Sequence, residues 1–447
     1  MRHGKEKVKG KLILNKILKE PIIYLLVLIA IIQGIVYSNM PTYGETGDSN
    51  GYLHVYDSKS ILKGYINESR PPVYPYLIRV IRKVAGEENL EVNIAKVQKF
   101  IFFISIILFY CILKMLIKNK LIISILTLIF GITPSILIWN VYIVTEALTC
   151  LEILILTYIT VKYLKKPSRI LSSLMGIVIL LMILTKPALI YFLPIYILFI
   201  VLRYILEKKE RKTLLFGIGS LVICCLVLVI YCCQIKNLYG VFGLTNISGI
   251  NNVLSVLDSG AYEEIQNNPI TETIMQYVDE PISDNKTYEI NGELEKKYSK
   301  EELNEYTNLA MKTKRYEEYM FNKIISLGSE NIGTAHPMGE PENENAINNL
   351  SSISRLLIPI TFGFIYIIIL ISIVYLIWYL IKYKKINWIC AFFTSTIFAN
   401  LFTFFVGAPF EPQRLFFPSM CLVLLYIGTI IGKIKLKEEN LLDEKAI

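Results

Sequence analysis

Residues 21–38 read PIIYLLVLIAIIQGIVYS, eighteen positions without a charged side chain. As a helix this run rises about 27 Å, close to the roughly 30 Å hydrocarbon core of a bilayer. The twenty residues before it, MRHGKEKVKGKLILNKILKE, carry seven Lys or Arg. The run is longer than the h-region of a cleaved signal peptide, so it reads as an uncleaved anchor with residues 1–20 in the cytoplasm.

The rest of the chain repeats the pattern. Of 447 residues, 54% are hydrophobic and 19% charged, more apolar and less charged than a soluble domain of this size. Apolar runs at 21–38, 100–117, 121–139, 144–163, 170–185, 188–206, 213–233, 356–381, 388–406 and 415–433 predict an all-α polytopic membrane protein with about ten transmembrane helices. Lysine and arginine in the short loops set the orientation. Residues 114–120 hold Lys114, Lys118 and Lys120; VKYLKKPSR (161–169), RYILEKKERK (203–212) and KYKK (382–385) are basic, and the tail begins KIKLK at 433. These loops and both termini, the tail being 434–447, are expected inside, in a multi-pass plasma-membrane protein. A single kinked helix through 170–206 would put two of the basic loops on opposite sides, so Lys186 is expected outside.

All eight cysteines fall within the predicted spans, and no Cys or His spacing resembles a zinc or iron site. The net charge of +9 lies mostly in the inward loops, so it gives no reason to expect a nucleic-acid partner.

Two outward segments are long enough to hold chemistry, 39–99 and 234–355. They divide the chain into a membrane module at 21–233 with seven spans, an extracytoplasmic region at 234–355, and three C-terminal spans at 356–433. The first segment reads as two short helices on the membrane. Asp48 or Ser49 in TGDSNGYLHVY (46–56) can cap the first, and Gly64 can end it. The second starts after Pro71-Pro72 in NESRPPVYPYLIRVIRK (67–83) and ends at Gly86. It sets Val73, Leu77, Ile81 and Val84 on one side and Arg79, Arg82 and Lys83 on another, as in a helix lying over anionic headgroups. Arg70 differs, standing in a turn before two prolines. In the larger segment Ser299 and Glu302 form a capping box, and Leu303, Tyr306, Ala310, Tyr316, Met320, Ile324 and Leu327 continue at helical spacing. That helix predicts a small outer helical segment, followed by a mobile loop over 328–350.

Charges at the outer face are the informative exceptions, since an ionisable group beside a span is costly and more often functional than one on a soluble surface. The carboxylates are Asp48, Glu146 opening the fourth span in NVYIVTEALT (140–149), and Glu152 deeper in that span. Six residues apart, Glu146 and Glu152 are expected on different faces. The cations are Arg70, Lys186 in LTKPALI (184–190), Arg355, and Arg414 in FEPQRLFFP (410–418). Snorkelling to headgroups explains such cations one at a time. Together with carboxylates on one side of the membrane, they suit a lipid phosphate held by cations under a proton-accepting acid.

The order Asp48, YLHVYDSKSILKG (52–64), RPPVYP (70–75), Pro134, Glu146, Lys186-Pro187 and Arg414 with Pro418 resembles the GT-C integral-membrane glycosyltransferases, particularly the Rgt-like and dolichyl-phosphate-mannose protein mannosyltransferase-like families. The likeness covers roughly residues 20–205 well and the C-terminal third loosely. It implies a GT-C-like fold with juxtamembrane helices in the first outer loop. It implies transfer of a hexose or pentose from a polyprenyl-phosphate-linked donor to a lipid, glycan or protein acceptor of the envelope, with an extracytoplasmic active site. Asp48 would be the base of an inverting reaction and Glu146 a second catalytic acid that orients acceptor or base. Arg70, Tyr74, Lys186 and Arg414 would bind the donor. Relatives with paired acids in the first loop make a divalent metal conceivable as cofactor, but Asp48 has only Glu45 nearby and His54 reads as an interfacial residue, so a metal would rest on carboxylates alone.

Two other classes stay open. A polymerase or ligase of lipid-linked glycans would want an arginine-rich outer loop, and 234–355 is acidic. A transporter or flippase of lipid-linked saccharides would place binding groups near the midplane in repeated halves; no repeat shows, and Glu152 is the residue that fits.

Overall fold

The helical propensity of the apolar runs is realised almost throughout. In the computed structural model, which describes residues 21–55, 66–278, 284–325, 344–407 and 416–443, eighteen α-helices and no strands occur among the described residues. In chain order they are α1 (Pro21–Ser38), α2 (Ser49–Leu53), α3 (Val73–Ala85), α4 (Leu90–Leu116), α5 (Lys120–Ile132), α6 (Pro134–Trp139), α7 (Glu146–Lys165), α8 (Arg169–Thr185), α9 (Phe192–Leu206), α10 (Arg211–Tyr239), α11 (Ile247–Ser259), α12 (Pro269–Tyr277), α13 (Asp284–Lys297), α14 (Lys300–Ala310), α15 (Lys314–Ile325), α16 (Glu344–Tyr383), α17 (Trp388–Gly407) and α18 (Met420–Asp443). Among the described residues the predicted spans fall largely on apolar helix. Five helical stretches, Leu90–Leu116, Glu146–Lys165, Pro187–Leu206, Lys208–Tyr239 and Gly363–Tyr383, are by themselves long and apolar enough to cross a membrane, and shorter apolar helices accompany them. The protein is an all-helical membrane protein.

Two spans are not simple rods. The run 121–139 breaks at Pro134, which has no N–H to donate and holds Thr133 extended (φ −59°, ψ 120°). α6 is then followed by an irregular stretch, 140–145, whose residues are all buried. Bare backbone polar groups at that depth need partners within the protein. Gln98 on α4 supplies them, its Nε2 donating to the carbonyls of Tyr142 (2.7 Å) and Asn140 (3.3 Å). The run from 187 begins as a 3₁₀ turn, Pro187–Tyr191, before α9.

The membrane core runs through α1, α4–α10 and α16–α18, with Phe109 stacked on Phe130 at 4.4 Å as a representative contact. α8 and α10 pack closely because small residues face each other, Gly176 against Ser220 and Gly217 against Ser172. At one end of the bundle Arg203 of α9 is sealed in: its Nη2 donates to both oxygens of Glu210 (2.6 and 2.5 Å), and its guanidinium lies 4.9 Å from the centre of the Trp388 ring. Tyr163 donates to the same carboxylate, and Trp388 Nε1 to Glu207.

The segment after α10 holds more structure than the single helix expected. α11–α15 share their own core, including Val256, Leu257, Ile274, Ile290, Leu294, Leu303 and Tyr306. The capping box of Ser299 and Glu302 forms as predicted. The continuous helix to Leu327 does not. Hydrophobic spacing carries on, but the backbone turns after Ala310 because the Glu264 carboxylate accepts from the amides of Lys314 and Arg315 (3.0 Å each) and starts a new helix there. Residues 344–350, expected as loop, are the first turns of α16; 326–343 lie outside the described residues.

In the first loop α2 is barely more than one turn, and 56–65 with the expected end at Gly64 lie outside the described residues. α3 begins after Pro72 and ends at Gly86, whose φ of +82° suits a residue without Cβ. Its buried side is Tyr74, Pro75, Ile78 and Ile81, whereas Val84 is open. The apolar stripe on the free side is therefore Tyr76, Val80 and Val84, a rotation from the face read in the sequence, because Tyr74 and Ile78 pack against Tyr52 and Ile94 in one cluster.

Candidate active site

The opposite end of the bundle from Arg203 gathers Asp48, Arg70, Glu146, Glu152 and Lys186. The chain leaving α1 is pinned to the buried stretch before α7 by a short parallel bridge, Gly44 N to Val141 O (3.1 Å) and Ile143 N to Gly44 O (2.9 Å). A Cβ at Gly44 would stand 2.7 Å from the Tyr142 ring, so this approach needs glycine. Ser49 adds a side-chain bond to the Ile143 carbonyl (3.0 Å). Asp48 and Glu146, 98 positions apart in sequence, are thereby carried on two strips of backbone fastened to each other.

Asp48 precedes α2, yet its side chain makes no cap bond. It accepts instead from Arg70 Nη2 at 2.7 Å. The guanidinium lies over the Tyr52 ring, 4.6 Å from its centre, and passes so close to Gly51 that a Cβ there would be 2.7 Å from Arg70 Nε. The Asp48 side chain keeps 36% of its accessibility and that of Arg70 13%. The acid is open to water.

Glu146 is the first residue of α7 and Lys186 the residue after α8. They pair at 3.0 Å, with the Glu146 side chain at 0% exposure and that of Lys186 at 10%. Such a pair survives out of water only because each charge answers the other. Glu152, one and a half turns further along α7, accepts from the Thr185 hydroxyl at 2.7 Å. From positions six residues apart on one helix, both acids nonetheless reach successive residues of one chain end, where the Lys186 backbone turns extended as α8 stops. The second oxygen of Glu152 is buried without a hydrogen-bond partner among the described residues.

Tyr74, expected to bind the donor, lies behind the Asp48–Arg70 pair. It is fully buried, its hydroxyl donates to Gln98 Oε1, and its ring meets Tyr52 edge-on at 5.0 Å. It supports the ring on which Arg70 rests. Arg414 lies outside the described residues, as do the side chains of Arg355 and its neighbours. Where the chain resumes at Phe416, it returns to this end: Ser419 Oγ is 3.4 Å from the Tyr191 hydroxyl in the turn that follows Lys186. Among the described residues no three His, Cys, Asp or Glu side chains come together as a metal site; Asp48 is engaged by Arg70 and His54 is exposed, so the donors present do not compose one.

Sequence reading missed Gln98, Thr185, Gly51 and Tyr52. Gln98 alone offered a signal, an amide more than two turns into α4, just before its apolar run.

Residues 69–231 match the sequence model of the family described as dolichyl-phosphate-mannose-protein mannosyltransferase. A search of curated proteins returns no match. Among solved structures, the chain is similar to the archaeal oligosaccharyltransferase AglB from Archaeoglobus fulgidus, in complex with an inhibitory peptide and a dolichol-phosphate. Identity is 13% and the TM-score 0.47, over 95% of this chain and 52% of that one. The chain thus spans about half the length of that relative. The family match contains Arg70, Tyr74, Glu146 and Lys186, and with the all-helical membrane fold around it, it supports the resemblance read from the sequence, a GT-C-like membrane glycosyltransferase.

Proposed function

We propose that the protein transfers a sugar from a polyprenyl-phosphate-linked donor to an acceptor of the cell envelope, with inversion at the anomeric carbon and on the extracytoplasmic face, both termini being cytoplasmic. The observation that carries this reading is the pair of carboxylate–cation contacts, Asp48–Arg70 and Glu146–Lys186, at one end of an apolar bundle. The family description, with its dolichyl-phosphate-mannose donor and protein acceptor, gives the donor class.

The roles follow from exposure. Asp48 is the carboxylate open to water, so it takes the proton of the acceptor hydroxyl as that oxygen attacks the anomeric carbon. The bond from that carbon to the phosphate oxygen breaks and its electron pair stays on the phosphate. A phosphate leaves as an anion without an acid. Positive charge beside it lowers the barrier, since fixed charge in a dry site acts where charge develops. Arg70 and Lys186 supply that charge, and Arg414 is assigned the same part from the sequence. Glu146, fully buried against Lys186, holds that cation in place until phosphate arrives, a role nearer to orientation than to proton transfer.

The test is transfer by the purified protein from a synthetic polyprenyl-phosphate sugar to envelope acceptors, read by mass spectrometry. Wild type should form product and Asp48→Asn should not, while both bind donor. Full transfer by Asp48→Asn would sink the mechanism. Proton-coupled movement of an intact lipid-linked saccharide, without bond cleavage, would favour the transporter reading.

A further inference from the structure

Arg70 is held from behind. The residues before it, 66–69, receive four contacts from parts of the chain more than 170 positions away. Tyr239, the last residue of α10, donates its hydroxyl proton to the Ile66 carbonyl (2.9 Å). The amide of Asn246 donates to the Glu68 carbonyl (2.8 Å), and its side-chain oxygen accepts from Ser69 Oγ (3.4 Å). Lys300, at the start of α14, is 3.5 Å from the Glu68 carboxylate. Within the segment, Asn67 Oδ1 accepts from the amides of both Ser69 (2.8 Å) and Arg70 (2.9 Å).

The last two bonds form a closed turn in which an amide side chain stands in for backbone. They fix the direction in which the chain enters Arg70. Pro71 restricts the residue before it and so fixes the direction of exit. With backbone held on both sides, the guanidinium has one course, over Tyr52, past Gly51 and onto Asp48. None of these contacts is needed to build the membrane core, whose buried cluster lacks residues 66–72.

We propose that Asn67, Tyr239 and Asn246 are positioning residues that set Arg70 against Asp48, making the helical unit α11–α15 a working part of the site. Asn246 is the N-cap of α11 and Lys300 opens α14. A shift of that unit, as an acceptor docks on it, is passed to Arg70 through Glu68 and Ser69. The inference rests on the reading above that Arg70 stabilises the departing phosphate.

The experiment compares Asn67→Ala, Tyr239→Phe and Asn246→Ala in the full chain, each alone and with Arg70→Ala, reading turnover, thermal unfolding and hydrogen exchange of residues 66–72. Displacing a charge by about 1 Å is worth up to about 100-fold in rate, so Asn67→Ala and Tyr239→Phe should lower kcat by about 10- to 100-fold. The unfolding temperature should stay unchanged and exchange at 66–72 should quicken. Asn67→Asp, which keeps the accepting oxygen, should recover most of the rate. In the Arg70→Ala background the same changes should cost nothing further. Wild-type turnover in Asn67→Ala and Tyr239→Phe despite faster exchange would overturn the proposal, as would losses that multiply with that of Arg70→Ala. Full turnover in Arg70→Ala itself would remove the role of Arg70 and the positioning role with it, while exchange at 66–72 would still report whether the contacts exist.

Discussion

The two ends of α7 carry the same chemistry in opposite states. At one end Glu210 accepts twice from Arg203 and once from Tyr163, and the guanidinium is roofed by Trp388. At the other, about 25 Å away by helix rise, Asp48 pairs with Arg70 and Glu146 with Lys186 from loops and helix ends, and the Asp48 side chain keeps 36% of its accessibility. A carboxylate bonded on both oxygens inside an aromatic cage has no reason to open. A pair whose acid is open to water, as Asp48 is, can exchange its partner for a ligand. The comparison teaches that burial of charge in a membrane bundle does not by itself mark function; an open acid beside the buried charge does.

The sharpest break of the comparison is Asp48→Asn. Removal of a general base lowers rate by about 10²- to 10⁴-fold, so transfer should fall by that factor with no change in thermal unfolding, since the amide still accepts from Arg70. The Arg203 end should behave in reverse. Arg203→Met leaves the half-buried Glu210 without its cation, a loss that approaches the cost of a stranded charge; the melting temperature should drop, and the protein that remains folded should turn over normally. Glu210→Gln in the same chain should restore most of the loss.

Lys186→Met sits between the two. It strands Glu146 in a dry site, so it should lower both stability and transfer, and Glu146→Gln should then rescue the melting temperature but not the activity. Rescue of both would place Lys186 with Arg203, as structure alone. Gly51→Ala is a smaller probe: the added Cβ presses on Arg70 Nε, and overpacking of this kind costs about 1–3 kcal/mol, so transfer should weaken while Arg203 and its neighbours are untouched.

The smallest effect lies away from both ends. On α15, burial pushes the Lys323 amine down from 10.5 to about 8, with Asp258 opposing the shift. The unfolded chain therefore binds more protons than the folded one between pH 8 and 10.5, and stability of the α11–α15 unit should rise across that window. Lys323→Met should flatten the rise in pH-dependent hydrogen exchange there while leaving the membrane helices unaffected.

Particular residues show what was legible. The start of α3 after Pro72 and its end at Gly86, and the capping box at Ser299, follow from backbone chemistry local to those positions; the break at Pro134 was read through as one span. The helices α11–α13 were not read, although Asn268 before Pro269 is a cap signal and Gly260 a stop signal, because their apolar residues are too sparse to stand out against the membrane runs. The burial of Tyr74 was not legible, since its motif is shared by a surface turn and a buried support. Its burial depends on Tyr52 and Gln98, which are distant in sequence.

The sequence by itself determined that this chain is a bundle of apolar helices, where a few of its helix ends and caps fall, and which charges stand out of place. Those are properties of runs a few residues to a few turns long, where hydropathy and backbone restriction act without reference to the rest. Only the tertiary structure decided which acid meets which cation, that Glu146 and Glu152 converge on one chain end, and that Asn246 reaches back to Glu68. Such pairings are set by helices packing side by side, and the energy of a buried charge depends on the one partner that packing delivers.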